Sequence, residues 1–242
     1  MRIYLDPMEM IREVERDLFE MGIKYQSSTV QDMKVADDEK YQTLELFGYA
    51  YTLQSYAPKE LDKMLKYTES NIAWVKAEME ERLELQPSLD FLEMNPGTAW
   101  QVNKDAERFW GKFLRDGVFS YSYAERWRWQ LPYVINELKT RPNSRQAIMT
   151  MYSAERDIMN WGGRDRVPCS LTYHFVIRED RLKLIYNQRS CDFLNFFASD
   201  VYQGVKLLQF VAEQIEVLPG DFIHYLNSLH AFKGDMDKRN IF

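Results

Sequence analysis

Two periods of apolar residues alternate along the chain, and each predicts its own element. Over 7–21, Ile11, Val14, Leu18 and Met21 fall on one helical face, with Pro7 suited to the first turn and Gly22 to the stop. From Gln42 to Tyr51 the alternation is that of a strand, with Gly48 as a candidate bulge. Leu61, Met64, Leu65, Ile72, Trp74, Val75, Met79 and Leu83 predict one long helix over 58–85, stopped by Pro87. Its charges, Glu78, Glu80, Glu81 and Arg82, read as a solvated face. A turn at Asn95-Pro96-Gly97 precedes a helix over 104–115, and another helix lies within 123–140, entered near Pro132.

Beyond Pro142 strands dominate. Residues 146–152 read as a strand and 161–165 as a loop. Ser170–Ile177 and Leu182–Gln188 predict a hairpin closed by the tight turn Arg178-Glu179-Asp180-Arg181. Val201, Val205, Leu208, Val211 and Ala212 form the inward face of a helix over 199–216, and Leu218-Pro219-Gly220-Asp221 turns into a last strand, Phe222–Leu226. Residues 23–39 carry no clear period. With no repeat and no linker, the pattern predicts an α+β fold on a mixed sheet, as one domain over 1–242.

Composition narrows the partners. Hydrophobic residues make up 45% and aromatics 14%, ample for a core, and the net charge of −6 argues against non-specific nucleic-acid binding. An anionic small ligand would need a local basic pocket. The two cysteines and three histidines show no zinc-ligand spacing, so no metal is expected, and free thiols suit a reducing cytoplasm. The charged Met1–Asp6 stretch and the lack of a run of about 18 apolar residues predict neither a secretory leader nor a membrane span.

Candidate chemistry centres on Val167-Pro168-Cys169-Ser170 and Asn187-Gln188-Arg189-Ser190-Cys191-Asp192. Cys169 is either a small buried apolar residue or a nucleophile. Arg189-Ser190 offers a planar fork of donors and a hydroxyl to an anion, or a surface ion pair. Asp200 suits a helix N-terminus, and His230 either a ligand hydroxyl or a backbone carbonyl. Trp100, Trp110, Trp127 and Trp129 fit a core or a pocket wall equally well.

Taken together these residues resemble the thymidylate synthase superfamily. The resemblance rests on Pro168-Cys169, a strand–turn–strand, Gln188-Arg189-Ser190 with Asp192, a polar residue eleven places after the arginine, Gly220-Asp221, and His230. Tyr123 with Trp127-Arg128, and Pro142-Asn143-Ser144-Arg145, match two further blocks, so that it spans roughly 42–235. It implies a mixed sheet flanked by helices, one sheet face forming a homodimer interface. It also implies a Cys169 thiolate that adds to C6 of a pyrimidine nucleoside monophosphate, and a C5 that attacks the one-carbon unit of 5,10-methylenetetrahydrofolate. Arg189 and Ser190, with Arg145 from the other subunit, would hold the phosphate, and Arg189 would favour the thiolate. Gln188, Ser170, Tyr123, His230 and Asp192 would line the nucleotide site, and Trp100, Phe196 and again Asp192 the folate site. Asp200 is similar to the deoxycytidylate hydroxymethylases of bacteriophages. A carboxylate only accepts hydrogen bonds, which suits the N4 amino group of cytosine and not O4 of uracil.

The chain departs from the family pattern at four places. Counting back three from Trp74 finds Asn71 where the family has a catalytic glutamate. Gln146 stands for the second of paired arginines, Phe232 for a tyrosine, and only 12 residues follow His230, so a folate-closing segment is expected to be short. That favours water capture, giving a hydroxymethyl product, over hydride capture, giving a methyl one. The alternatives are C5 methylation of dCMP or dUMP, action on a ribonucleotide, and a non-catalytic nucleotide-binding homologue.

Overall fold

The structure, a computed structural model, describes residues 1–26, 29–30, 33–34, 36–83, 121–160 and 166–240. The strands are β1 (Arg2–Tyr4), β2 (Ile23–Gln26), β3 (Thr29–Val30), β4 (Met33–Lys34), β5 (Gln42–Leu53), β6 (Ile148–Thr150), β7 (Ser170–Arg178), β8 (Arg181–Gln188), β9 (Cys191–Asp192) and β10 (Leu218–Phe232). The helices are α1 (Pro7–Met21), α2 (Pro58–Tyr67), α3 (Ile72–Leu83), α4 (Tyr123–Thr140), α5 (Ala154–Asp157), α6 (Ala198–Gln214) and α7 (Lys233–Lys238). The turn at 95–97, the helix at 104–115, the loop at 161–165, Trp100 and Trp110 lie outside the described residues.

One mixed sheet organises the chain in the order β1-β5-β10-β8-β7-β6. β1 runs parallel to β5 and β10 parallel to β8, while β5/β10, β7/β8 and β6/β7 are antiparallel. The hairpin turn is the expected one: Glu179 and Asp180 both take φ of 56°, the geometry that matches strand twist in a two-residue connection. One face, carrying Tyr173, Phe175, Leu184, Tyr186, Phe222 and Leu226, is buried in the core with α6. The other face, with Thr172, His174, Lys183, Ile185 and Tyr225, is less covered, and Tyr225 and Ile148 are among its exposed apolar side chains.

Two irregularities decide which side chains look inward. Between Ser170 and Thr172 the β7/β8 register slips by one residue, so that Ser170 and Tyr173 both face the core although three apart. Gly48 takes φ of 65°, yet the β5/β10 pairing runs through it unshifted, so it is a kink and not the expected bulge. Tyr51 and Leu53 point inward on one side of the kink and Leu44 on the other. On β10, Phe222, His224 and Leu226 give way in the same manner to Leu229 and Ala231.

Within the described residues the helical pattern over 58–85 is two helices, α2 and α3; positions 84–85 and the expected stop at Pro87 lie outside them. Glu69 enters the left-handed region (φ 56°) and the Thr68 hydroxyl bonds back to the Met64 and Leu65 carbonyls, ending α2. α4 begins at Tyr123, nine residues before Pro132, because Ser122 caps it by accepting from the Glu125 amide at 3.0 Å. The last strand is 15 residues long, so that 218–221 belongs to it rather than to a turn. A single π-helical turn, Phe193–Phe197, leads into α6, and Gly204 lets that helix settle onto β10: a Cβ there would lie 2.5 Å from the Phe222 ring. This close approach brings Asp200, in the first turn of α6, down to the end of β8.

Candidate active site

Cys169 is half-buried at the mouth of β7, just before the bulge. The Tyr123 hydroxyl accepts from the amides of Cys169 (2.9 Å) and Ser170 (3.2 Å), pinning the strand end to α4. Arg189 donates from Nε to the Pro168 carbonyl at 2.8 Å and from Nη2 to the Val167 carbonyl at 2.9 Å, and the same Nη2 stands 3.7 Å from the sulfur. Burial pushes the Cys169 thiol above its ordinary value; Arg189 and Arg166 pull it back, and Asp200 and Asp192 push it further up. Arg189 therefore favours the thiolate as expected, but in the free protein burial outweighs it.

Asp200 lies behind the cysteine. Its Oδ2 accepts from Gln188 Nε2 at 2.8 Å and from the Cys191 thiol at 3.6 Å. Burial raises its carboxyl to about 6, with Glu78 adding to the rise and Gln188 and Arg82 opposing it. Asp192 is raised to about 6 as well, by burial first and by Asp235, while it caps the π-helical turn through the amides of Leu194 and Asn195. Burial lowers His230 to about 4, with Glu45 opposing and Arg189 assisting. His230 lies across the strands from Glu45, which also accepts from the Ser228 hydroxyl. The half-exposed Ser190 hydroxyl has no partner among the described residues.

Three sequence expectations change here. Asn71 is exposed at the start of α3, and its Oδ1 accepts from the Trp74 amide at 3.1 Å. It is a helix cap, and the three-residue spacing to Trp74 that singled it out is cap spacing. The carboxylate of α3 whose charge does bear on Asp200 is Glu78, two turns further along. Its Oε1 accepts from Arg82 at 2.6 Å and its Oε2 from Gln203 of α6 at 2.8 Å. Arg82 is no solvated charge: it is 5% exposed and lies over the Tyr123 ring at 4.5 Å. Ser170, expected to meet substrate, is buried with its hydroxyl bound to Tyr186 at 2.6 Å and Tyr173 at 3.3 Å.

Gln188 is likewise buried and acts behind Asp200. Arg145 is exposed, and its carbonyl accepts from His174 on the open sheet face at 3.2 Å. His174 is five residues along β7 from Cys169, about 16 Å at the rise of a strand, so Arg145 and Arg189 of one chain are not brought together. Phe196 is half-buried on the π-helical turn. Trp127 belongs to the core, edge-on to Tyr173 at 5.4 Å, whereas Trp129 is exposed. Among the described residues no cluster of three or more His, Cys, Asp or Glu is placed to hold a metal ion, and no helix is long and apolar enough to cross a membrane.

Fold and site together are those of an α+β protein whose half-buried thiol sits beside a guanidinium at the end of a mixed sheet. The chain belongs to the thymidylate synthase family, whose model matches residues 33–241. A putative thymidylate synthase of Methanosarcina mazei is 33% identical over 150 residues, 58% of this chain and 66% of that protein. The matched stretch therefore spans just under two thirds of that relative. A deoxyuridylate hydroxymethyltransferase of Bacillus phage SP01 is 29% identical over 148 residues, 54% of this chain and 38% of that protein. The crystal structure of thymidylate synthase from T4 phage superposes with a TM-score of 0.68 at 20% identity, covering 97% of this chain and 80% of that one, which establishes the shared fold.

Proposed function

We propose that this protein transfers a one-carbon unit from 5,10-methylenetetrahydrofolate to C5 of dCMP, with water completing a 5-hydroxymethyl group. The observation that carries this reading is Asp200. Its Oδ2 is occupied by Gln188 and Cys191, and Oδ1 has no partner among the described residues. A carboxylate so held accepts from the N4 amino group of cytosine and has no proton for O4 of uracil. A relative named for hydroxymethyl transfer to deoxyuridylate supports the hydroxymethyl product.

The residues present fit the folate. Phe196 offers a half-buried apolar ring, and the Asp192 carboxyl lies at the end of the same turn to bond a flat heterocycle. When bound, methylenetetrahydrofolate supplies a carbon at the oxidation level of formaldehyde. Cys169 sulfur bonds to C6 and drives the electron pair to C5, which takes up the carbon. Glu78, held by Arg82 and Gln203, receives the C5 proton and orients the water that adds as hydroxyl. Cys169 then leaves C6. The sum is dCMP, methylenetetrahydrofolate and water giving 5-hydroxymethyl-dCMP and tetrahydrofolate. Arg189 and Ser190 hold the phosphate; Arg145, remote from them within one chain, joins them from a second copy packed on the open sheet face.

The test is incubation of the protein with methylenetetrahydrofolate and either dCMP or dUMP, with product masses followed. A hydroxymethyl product from dCMP is expected. Turnover of dUMP alone would sink the base assignment, and appearance of dihydrofolate would mark methylation instead.

A further inference from the structure

His224 lies in β10 beneath the site and is fully buried. Its ring stacks on Tyr186 (centroids 4.6 Å apart, planes 4° from parallel) and meets the edge of Tyr51. Burial holds it neutral, with its pKa lowered to about 3, so one ring nitrogen donates and the other accepts. Nε2 is 2.8 Å from Gln188 Oε1, and Nδ1 is 2.9 Å from the Tyr51 hydroxyl.

The directions follow from the far end. Ionised Asp200 can only accept, so Gln188 must turn its NH2 toward Oδ2, at 2.8 Å. Gln188 Oε1 then faces His224, which must donate from Nε2. Nδ1 is left with its lone pair, and the Tyr51 hydroxyl donates to it. In the other tautomer two lone pairs would face each other across the buried contact between His224 and Gln188, with no water to relieve them. An amide can present either end to a neighbour; here ionised Asp200 fixes one end and the His224 donor satisfies the other.

We propose that His224, backed by Tyr51, is a positioning residue for base selection: it locks the Gln188 amide so that Asp200 keeps Oδ2 occupied and offers the base a bare acceptor. Without the lock, Gln188 can rotate its oxygen toward Asp200. Once the Gln188 NH2 is withdrawn from Oδ2, Asp200 loses a donor that favours its ionised form, and a proton held on the base-facing Oδ1 can then donate to O4 of uracil. This role rests on the proposed reading of cytosine by Asp200.

The experiment measures dissociation constants of dCMP and dUMP for the full-length protein and for His224→Phe, His224→Gln and Tyr51→Phe, each checked for folding by its thermal transition. Phenylalanine keeps the stacking on Tyr186 and removes both nitrogens; glutamine restores a donor; Tyr51→Phe removes one hydroxyl and serves if the buried histidine cannot be replaced. The preference for dCMP over dUMP is expected to fall about tenfold in His224→Phe, by less in Tyr51→Phe, and to recover in part in His224→Gln. A wild-type preference for dCMP that survives unchanged in the folded His224→Phe and Tyr51→Phe proteins overturns the role of His224 alone. A wild-type protein binding dUMP as well as dCMP overturns the reading of Asp200 and this inference with it.

Discussion

Arg189 and Cys169 are joined twice: the guanidinium Nη2 stands 3.7 Å from the sulfur, and the Arg189 amide donates to the Cys169 carbonyl at 2.8 Å. The backbone bond keeps the side chain close to a thiol that burial would otherwise hold protonated. Arg189→Gln removes the charge, raises the thiol further, and is expected to slow alkylation of Cys169 by iodoacetamide about tenfold near pH 8. Mass mapping separates Cys169 from the buried Cys191. An unchanged rate would show that the arginine does not govern the thiol.

Glu78 lies within α3 and Asn71 caps it, and the two should behave oppositely. Glu78→Gln keeps the acceptor for Gln203 but cannot move a proton, and is expected to lower kcat by about 10²–10⁴-fold with dCMP affinity preserved. Asn71→Ala loses a cap and is expected to cost about 1 kcal/mol of stability with kcat unchanged. Steady-state kinetics together with urea unfolding distinguish them; equal effects on kcat would refute the assignment.

The buried titrating groups oppose one another in their effect on stability. The folded carboxyl of Asp200 is raised to about 6 from 3.8, so between those values the native state binds the extra proton and stability is lost as pH rises. His224 and His230, lowered to about 3 and 4 from 6.5, are neutral when folded, so their contribution grows over nearly the same range. Asp200→Asn removes one falling contribution, and its stability relative to wild type should increase from about pH 4 to about pH 7 in urea titrations. In wild type, dCMP binding should weaken below about pH 6 as the acceptor is protonated.

Arg126 and Asp157 form a buried two-point ion pair at 2.7 and 2.8 Å, and Asp157 also accepts from the Ser153 amide at 2.6 Å. The pair ties α4 to α5, in the segment that leads toward Cys169. Asp157→Asn leaves the buried guanidinium without its counter-charge and is expected to cost about 3–5 kcal/mol in urea unfolding. A loss under about 1 kcal/mol would mean that water compensates the arginine.

Much of the site was legible because its signals are local or ordered along the chain. Cys169, Arg189 and Asp200 were marked together by the resemblance, whose motifs are ordered along the chain; the structure sets Arg189 3.7 Å from the Cys169 sulfur and Asp200 against Gln188 and Cys191, the neighbours of Arg189 and Ser190. Glu78 was hidden behind a rule of thumb that reads charges on a helix as solvated. Val75, Glu78, Met79 and Arg82 nevertheless share the inward stripe at positions i, i+3, i+4 and i+7, a pattern open to reading in the sequence. What no pattern could supply was the partner: Gln203 is 125 residues away. His224 was hidden for the same reason, since its role follows from Gln188, Tyr51 and Asp200 on three other elements.

The sequence by itself determined the bounds of α1, the two-residue turn between β7 and β8, and the inward stripe of α6. Each depends on dihedral preference and side-chain period within a few residues. Only the tertiary structure decided which faces of β5 and β10 look inward on either side of Gly48, and that Ser170 turns into the core at the bulge. It also decided that Asn71 is a cap while the charge of Glu78 bears on Asp200, and in which direction the hydrogen bonds run from Tyr51 to Asp200. Burial and hydrogen-bond polarity are set by groups far apart in the chain, and a period along the chain carries no record of them.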